Sequence, residues 1–564
     1  MGKKITKLFL IILYSFYPLN LFSQDNLIFQ DKNSYKYNGF SENVYQPLYV
    51  GNYFSSLFAF KNGDYHNSLI FSKLSLESKV DSMELLENAF NSNIYLGKIE
   101  NALEVVSSIE LLTDNLDQKF LYPTISEQLK RTDLSSAEEI SNNLGFEKHA
   151  VFINKMISIW NHVVLGQKAS ALMHLDKFID ENKLNPEVYY YLKVQGLIIA
   201  SYFDDTEEIN YRYNFLKGEI KKIPNRHYID ISKVIYEKIN KEEAKEFLIR
   251  NLPKNLDLSL SIRNLEKNIK NELNYYLAKV FYEAGFIIAK SKGYIQSIPY
   301  FWYSLHIDKN NDPSRLILSS FFTNLKQIDI ALDVLNGSLI KSPSWVIIEF
   351  EKSFLYEKQG KIDLAISLIE NFIKNNGFSK ESLLRISNIF RRNKDYKQSL
   401  ETLNKIDLLK ADLPEVYYYK SLNLVLLKEW GNAIETFEIL LEKYPNNSEI
   451  SNFVGYVLVD RNVRLDEGID LIKFAVNQEP NNGFFIDSLG WAYYKLGEIS
   501  KAIVYLERAI ELEPQEIEIN DHLGDAYFKA GRLGEARLVW KRAITLNGDG
   551  DIKKSIKSKL QMNF

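Results

Sequence analysis

The chain has 564 residues, 69 Lys+Arg against 73 Asp+Glu for a formal charge of −4, and no cysteine. Balanced charge excludes a nucleic-acid-coating surface and a polybasic membrane patch, which need a clustered excess of one sign. The missing cysteine excludes disulfides, thiol nucleophiles, thiolate-bound zinc or iron–sulfur sites and a lipidated N-terminal cysteine.

Length alone suggests about four domains. Apolar residues at 46% and charged residues at 25% describe a folded chain rather than a disordered one. Tyr 35 and Phe 34 against only 13 Pro and 25 Gly predict helices joined by short turns.

In chain order, the first element is an export address. Lys3, Lys4 and Lys7 precede an uncharged run over 8–17. Pro18 and Asn20 break that run, and Ser23 stands before polar Gln24 and Asp25. A basic start, a short apolar run and a small residue before polar sequence read as a secretory signal over 1–23. The alternative is an uncleaved anchor. A span needs about 20 apolar residues, and 8–22 supplies fifteen with a proline and an asparagine inside. No other uninterrupted apolar run is long enough to cross a bilayer. The expected product is an exported, periplasmic chain with no integral span after cleavage, soluble or peripherally associated with the inner or outer membrane of the cell envelope.

Residues 24–48 form a lead-in, and 49–276 read as helical pairs with a weak period. The stretches 50–74 (Ala59, Gly63, Ser68) and 82–109 (Gly97, Ala102) each resemble one pair. So, more weakly, do 151–178, 185–216 and 228–252. The stretches 113–134 and 204–226 break the period as long turns or degenerate units. From 277 to 547 the repeat is plain, and ten to twelve pairs are expected in all. Gly490 and Gly524 lie 34 apart, as do Tyr493 and Tyr527, Ala502 and Ala536, Ala509 and Ala543, and Pro480 and Pro514.

Each period is two amphipathic helices, apolar at three- and four-residue spacing. A small residue lets the first helix approach its partner (Gly490, Gly524), another sits on the second helix (Ala502, Ala536), and a bulky residue fills the gap (Leu506, Trp540). Proline ends the second helix. One pair leaves an apolar face uncovered, so pairs must stack. The tail 548–564, with Lys553, Lys554, Lys557 and Lys559 against Ile552, Ile556 and Leu560, is expected to cap the stack. Attachment to a membrane surface is the alternative for that tail.

With these positions filled every 34 residues, the chain resembles the tetratricopeptide repeat (TPR). Its order Gly455-Tyr456 … Asp487-Ser-Leu-Gly-Trp-Ala492 … Asn520-Asp-His-Leu-Gly-Asp525 … Ala536-Arg537 … Trp540 is similar to exported, TPR-only proteins of proteobacteria, a group with no agreed activity. The resemblance is specific over 312–546 and loose before it. It implies an all-α, right-handed superhelical solenoid of antiparallel helix pairs that binds other proteins or peptide segments on a concave face. Carried over position by position, that face falls on Tyr418, Tyr419, Asn452, Phe453, Tyr456, Phe484, Asp487, Trp491, Tyr494, Asp521, His522, Asp525 and Phe528. A subset of such repeats clamps an anionic peptide terminus with Lys and Asn. Here Asp487, Asp521 and Asp525 have the wrong sign, so a basic or neutral extended segment is expected.

Searches for chemistry return little. None of the seven histidines stands in His-Glu-x-x-His spacing, and there is no Gly-x-Ser-x-Gly elbow, phosphate loop or complete Gly-x-Gly-x-x-Gly. The period runs to within about twenty residues of the end, which is expected to leave no catalytic domain. Asp521, His522 and Asp525 lie within one and a half helical turns, with Asp487 one period before Asp521. They could hold a divalent cation, although Asp521 or Asn520 at a helix start also serves the helix dipole. The expectation is a non-enzymatic binding scaffold of the cell envelope with no cofactor, metal or nucleic acid. The alternatives are a metal-dependent enzyme or subunit at Asp521/His522/Asp525, or a membrane-tethered structural protein.

Overall fold

The computed structural model describes residues 49–561 apart from 78–81, 114, 253–260, 264, 267, 339–341, 377–379, 408–412 and 547–549. The expected signal and lead-in, 1–48, lie outside the described residues. Among the described residues the chain is all-α, with no strand, and runs as antiparallel helix pairs. It divides into two compact units at Ile369, inside the helix Ile362–Asn376.

The N-terminal unit pairs Tyr49–Lys61 with Tyr65–Glu77, Met83–Tyr95 with Ile99–Glu110, Leu121–Lys130 with Leu134–Ser141, and Lys148–Val164 with Lys168–Glu181. It continues with Pro186–Tyr202 and Thr206–Gly218, Tyr228–Val234 and Lys241–Asn251, Leu273–Lys292 and Tyr294–Ile307, and Asp312–Asn324 and Ile328–Asn336. Trp345–Lys358 pairs with the dividing helix. The C-terminal unit pairs Lys380–Arg392 with Tyr396–Asp407, Pro414–Leu427 with Trp430–Lys443, and Ser448–Asp460 with Leu465–Gln478. Gly483–Leu496 with Ile499–Leu512 and Ile517–Lys529 with Leu533–Thr545 follow, closed by Gly550–Leu560.

Fourteen pairs are present among the described residues, against the ten to twelve expected. The stretch 113–134 is not a long turn. It holds Leu121–Lys130, whose partner Leu134–Ser141 follows, and these helices are 10 and 8 residues long. Helices that short complete too few turns for an apolar period to show. Likewise 204–226 contains Thr206–Gly218, whose start is capped by Asp205 accepting from the Glu208 N–H at 3.2 Å.

The weak period before 277 has a local cause. Where later pairs place Gly or Ala at the crossing, earlier ones often place Ser, and its hydroxyl must then be satisfied. Ser56 meets Ser72 at 2.6 Å, and Ser92 and Asn88 donate to Ser68 at 2.9 and 3.1 Å. Ser387 and Ser399 repeat the arrangement at 2.8 Å, with Asn423 donating to Ser399. The crossing is as small as with Gly–Ala, but hydrogen bonds replace bare contact.

A stack of repeats joins only neighbours; the N-terminal unit does more. Its helix Leu273–Lys292 is buried without a break from Tyr276 to Phe286. A helix apolar all round needs cover on every side, and adjacent pairs cannot supply it. Helices from far earlier in the chain therefore pack on this hairpin. Tyr276 stacks on Trp160 (5.6 Å, 13°), Trp302 Nε1 donates to the Tyr95 carbonyl at 3.0 Å, and Gln327 donates to the Gly63 carbonyl at 2.9 Å. His306 Nε2 lies 2.7 Å from Glu127. Residue 277, where the plain period begins, sits inside this central helix.

The same enclosure buries titratable groups, with a measurable consequence. His149 packs against Tyr122 and Tyr300 and is 5% exposed. Burial holds its pKa down to about 4, outweighing the opposing pull of Glu147. His227 is likewise held well below the ordinary value, by burial and then by Arg226 and Lys279. The unfolded chain takes up protons near the usual histidine value of about 6.5, the folded chain only nearer 4 at His149. Stability is therefore full above pH 6.5 and is lost as pH falls from 6.5 through about 4. Urea midpoints measured from pH 7.5 to 4 are expected to fall over that window, and less steeply in His149→Phe. An equal slope in the variant would refute the assignment.

Candidate functional site: the first-helix face of the C-terminal unit

Four first helices build the candidate site: Pro414–Leu427, Ser448–Asp460, Gly483–Leu496 and Ile517–Lys529. Their ends are specified locally. Pro414 stands at the helix start, where a fixed φ helps and a missing N–H costs nothing. Asn447 Oδ1 accepts from the Ile450 N–H at 2.9 Å, and Asn482 Oδ1 from those of Phe484 and Phe485. Their close packing follows the expected small-against-large scheme. A Cβ on Gly490 would stand 2.7 Å from Leu506 Cγ, and one on Gly524 would enter the Trp540 indole.

The structure separates the predicted face into two clusters. In the first, Tyr418 and Tyr419 are buried, Tyr418 meets Phe453 at 4.4 Å between centroids, and Arg391 lies over the Tyr419 ring at 5.0 Å. Asn452 is fully enclosed, and among the described residues neither of its amide atoms finds a partner. These side chains pack between helices.

The second cluster spans three consecutive pairs. His522 Nδ1 sits 3.0 Å from both Asp487 oxygens. Trp491 stacks on His522 at 4.2 Å and 19°, and Tyr494 stacks on Trp491 at 4.7 Å and 11°. Trp491 Nε1 reaches Asp460 at 3.4 Å, and Lys495 Nζ donates to the Asp460 carbonyl at 2.9 Å. Asp487 and His522 are buried beneath this stack, while Tyr456, Tyr494 and Asp525 are half-buried and Phe528 is exposed. Burial, with Asp460, Asp487 and Glu518 adding, drives the Tyr456 hydroxyl far above its ordinary pKa. It therefore stays a neutral donor.

Sequence reasoning missed the group that completes this cluster. Lys559, on the closing helix Gly550–Leu560, places Nζ 2.7 Å from Asp521 Oδ1 and in contact with Asp525 Oδ1. Burial, reinforced by Asp521, pushes the Asp525 carboxyl above the ordinary range. Burial also works against the Lys559 charge, but the two carboxylates outweigh it and hold its pKa above the usual lysine value. Asp521, His522 and Asp525 thus do not converge: the imidazole turns to Asp487, and the ammonium takes the two carboxylates. Among the described residues no group of three or more His, Asp or Glu side chains is placed to hold a metal ion. The one signal for Lys559 was its place at the edge of the tail's apolar stripe. Ile552 and Ile556 of that stripe are buried against the last pair, with Leu560 partly so, which makes the tail a cap in this structure. Among the described residues no helix is long and apolar enough to cross a membrane.

Comparison with known proteins agrees with this architecture. A tetratricopeptide-repeat family model matches residues 415–447, and a second TPR-repeat model matches 490–531. A TPR repeat-containing protein of Pseudomonas aeruginosa is 31% identical over 99 residues, 16% of this chain and 17% of that protein; the chain thus spans about a sixth of the curated relative it matches. Among solved structures, a thermophilic TPR protein of Thermus thermophilus is 22% identical, covering 33% of this chain and all of that one, at a TM-score of 0.30. A tetratricopeptide repeat protein from Parabacteroides merdae is 15% identical over 44% and 98% of the two chains, at 0.38. Yeast Tom70 is 10% identical over 91% and 95%, at 0.34.

Proposed function

Because the chain is a tetratricopeptide-repeat protein, and so a protein-interaction scaffold, we propose that it is exported to the cell envelope and holds an extended, neutral or basic segment of a partner protein on the first-helix face of its C-terminal unit. One observation carries this reading. The Tyr494–Trp491–His522 stack joins two consecutive pairs into a platform, and Asp460 ties the pair before them to Trp491. The aromatic edge reaches solvent at Tyr494, with the exposed Phe528 ring on the same helix as His522. Aromatic side chains have few torsions to freeze, so they give contact area at small entropic cost. Of the acidic side chains around the platform, Asp460 lies 3.6 Å from Lys495 and 3.7 Å from Arg461 and Asp525 touches Lys559, so a basic partner group would bind by replacing one of these cations. Lys559 already supplies a cation to this surface from the chain itself, which supports a preference for basic groups. The same placement of Lys559, and the turn of His522 to Asp487, draw apart the three side chains on which the metal reading rested.

Screening a random-peptide library against the purified chain is expected to enrich Lys- or Arg-bearing segments. Tyr494→Ala/Phe528→Ala is expected to weaken the recovered peptides about tenfold. Phe528 is exposed and Tyr494 half-buried, so the fold survives, as circular dichroism would confirm. Recovered peptides that bind the double variant unchanged, or an enrichment of acidic segments, would overturn the proposal. Export rests on the residues before 24: mass spectrometry of envelope-fraction protein is expected to find an N-terminus near Gln24, and an intact Met1 would sink cleavage.

A further inference from the structure

A second surface lies in the N-terminal unit. A cavity of about 210 Å³ opens between the helices Lys168–Glu181, Pro186–Tyr202 and Thr206–Gly218. Its floor is a close contact of glycine with arginine. A Cβ on Gly196 would run into Arg212 Nη1, closer than real Cβ atoms come, so the buried guanidinium keeps this position only over a glycine. Its rim is aromatic, with Tyr211 70% and Phe215 38% exposed.

Around the cavity three carboxylates, Asp176, Glu208 and Asp180, stand against three cations, Arg212, Lys183 and Lys193, and two of the cations take all three carboxylates as direct partners. Arg212 donates to Asp176 at 2.9 Å and to Glu208 at 2.6 Å, so its fork is taken. Asp180 pairs with Lys183 at 3.0 Å. Lys193 alone among the lining charges has no carboxylate within ion-pair distance among the described residues. Its ammonium is held instead over the faces of Phe215, at 4.7 Å, and Tyr189, at 5.5 Å. Burial and then the neighbouring Arg212 lower its pKa, against the opposing pull of Asp176 and Asp180.

We propose that this cavity binds a small organic anion: one carboxylate, met by Lys193, carried on a flat apolar body that lies against Tyr211 and Phe215. The volume is of the order that admits a single aromatic ring. A single unpaired ammonium matches one negative charge. A phosphate dianion would need the arginine fork that Asp176 and Glu208 occupy, and with twice the charge it would be repelled more strongly by Asp176 and Asp180 than a monoanion is.

The test uses the full chain and three probes, benzoate, 3-phenylpropionate and indole-3-acetate, each beside its neutral amide. Saturation-transfer NMR and calorimetry are expected to show saturable binding of at least one acid, with its amide weaker by tenfold or more. Lys193→Gln is expected to remove that discrimination. Tyr211→Ala, at an exposed position that leaves folding intact, is expected to weaken acid and amide alike. No saturable acid binding, equal affinity for acid and amide, or discrimination that persists in Lys193→Gln would each overturn the proposal. Should Lys193→Gln fail to fold, the acid–amide comparison in wild type and the Tyr211→Ala result decide it.

Discussion

Replacing Asp230 by Ala is expected to destabilise the N-terminal unit by about 3–5 kcal/mol, the cost of leaving a buried charge without its partner. Asp230 is 1% exposed and holds Lys279 Nζ in contact, with the Tyr275 hydroxyl donating to its other oxygen at 2.8 Å. Lys279 is itself buried in the central helix Leu273–Lys292, with no second carboxylate to turn to among its described ion pairs. Nearby Lys233, 1% exposed, is committed to Glu272 and to the face of Tyr275 at 4.4 Å. Asp230→Ala therefore strands an ammonium and a hydroxyl where water does not reach. The contrast is the double replacement Asp230→Leu/Lys279→Met, which removes both charges and fills the space with apolar atoms. It is expected to be neutral or more stable than wild type. Urea unfolding, with hydrogen exchange over 228–292 to locate the change, distinguishes the two. A double variant as unstable as the single one would show that the pair, and not the stranded charge, matters.

Gly455→Val is expected to cost the C-terminal unit about 3 kcal/mol or more, the upper range for forced overpacking. In the pair Ser448–Asp460 and Leu465–Gln478 the two helices cross on bare backbone. A Cβ on Gly455 would stand 2.5 Å from the Gly468 carbonyl oxygen, and one on Gly468 would stand 2.9 Å from that of Gly455. A side-chain neighbour can rotate aside; a backbone oxygen inside a helix cannot, so the helices must separate. Even Gly455→Ala is expected to destabilise, although Ala in a helix interior is favoured over Gly by roughly 1 kcal/mol. Gly431 supplies the control. It lies in Trp430–Lys443 with nothing within 4 Å of its would-be Cβ, so Gly431→Ala is expected to be neutral or slightly stabilising. Hydrogen exchange should show lost protection over 448–478 in Gly455→Val and none in Gly431→Ala. Equal behaviour of the two alanine variants would refute the close-crossing argument.

These two sites show how unevenly the structure was legible in advance. Gly455 was readable, because a small residue recurring at one phase of a 34-residue period states that two helices touch there. Asp230 was not. Nothing in the spacing of 228–252 says that an acid faces inward, since a charged residue on a helix is ordinarily read as solvated. The candidate site divides the same way. The aromatic positions Trp491 and Tyr494 and the acid Asp487 came from the resemblance to the tetratricopeptide repeat, carried over position by position. Their pairing with His522, Asp460 and Lys495 depended on how three successive pairs rotate against one another. Lys559 was unreadable as a member of the cluster because the closing helix lies outside the period, and its register on Ile517–Lys529 is set by where Ile552 and Ile556 find cover.

What the sequence by itself determined is therefore what is encoded within one period: helices, their close crossings, and a stack of pairs over roughly 312–546. These depend on contacts between residues fewer than about forty apart, which a repeating pattern reports directly. The cap expected at Asn520 or Asp521 is not among them, since that helix starts at Ile517. Only the tertiary structure decided what lies further away. It packs helices between Met83 and Tyr202 into one core with the helix Leu273–Lys292, encloses His149, Asp230 and Lys279, and sets Lys193 over the rings of Phe215 and Tyr189. The physical reason is that burying an all-round apolar helix requires distant chain, and no local pattern records which segment arrives to cover it.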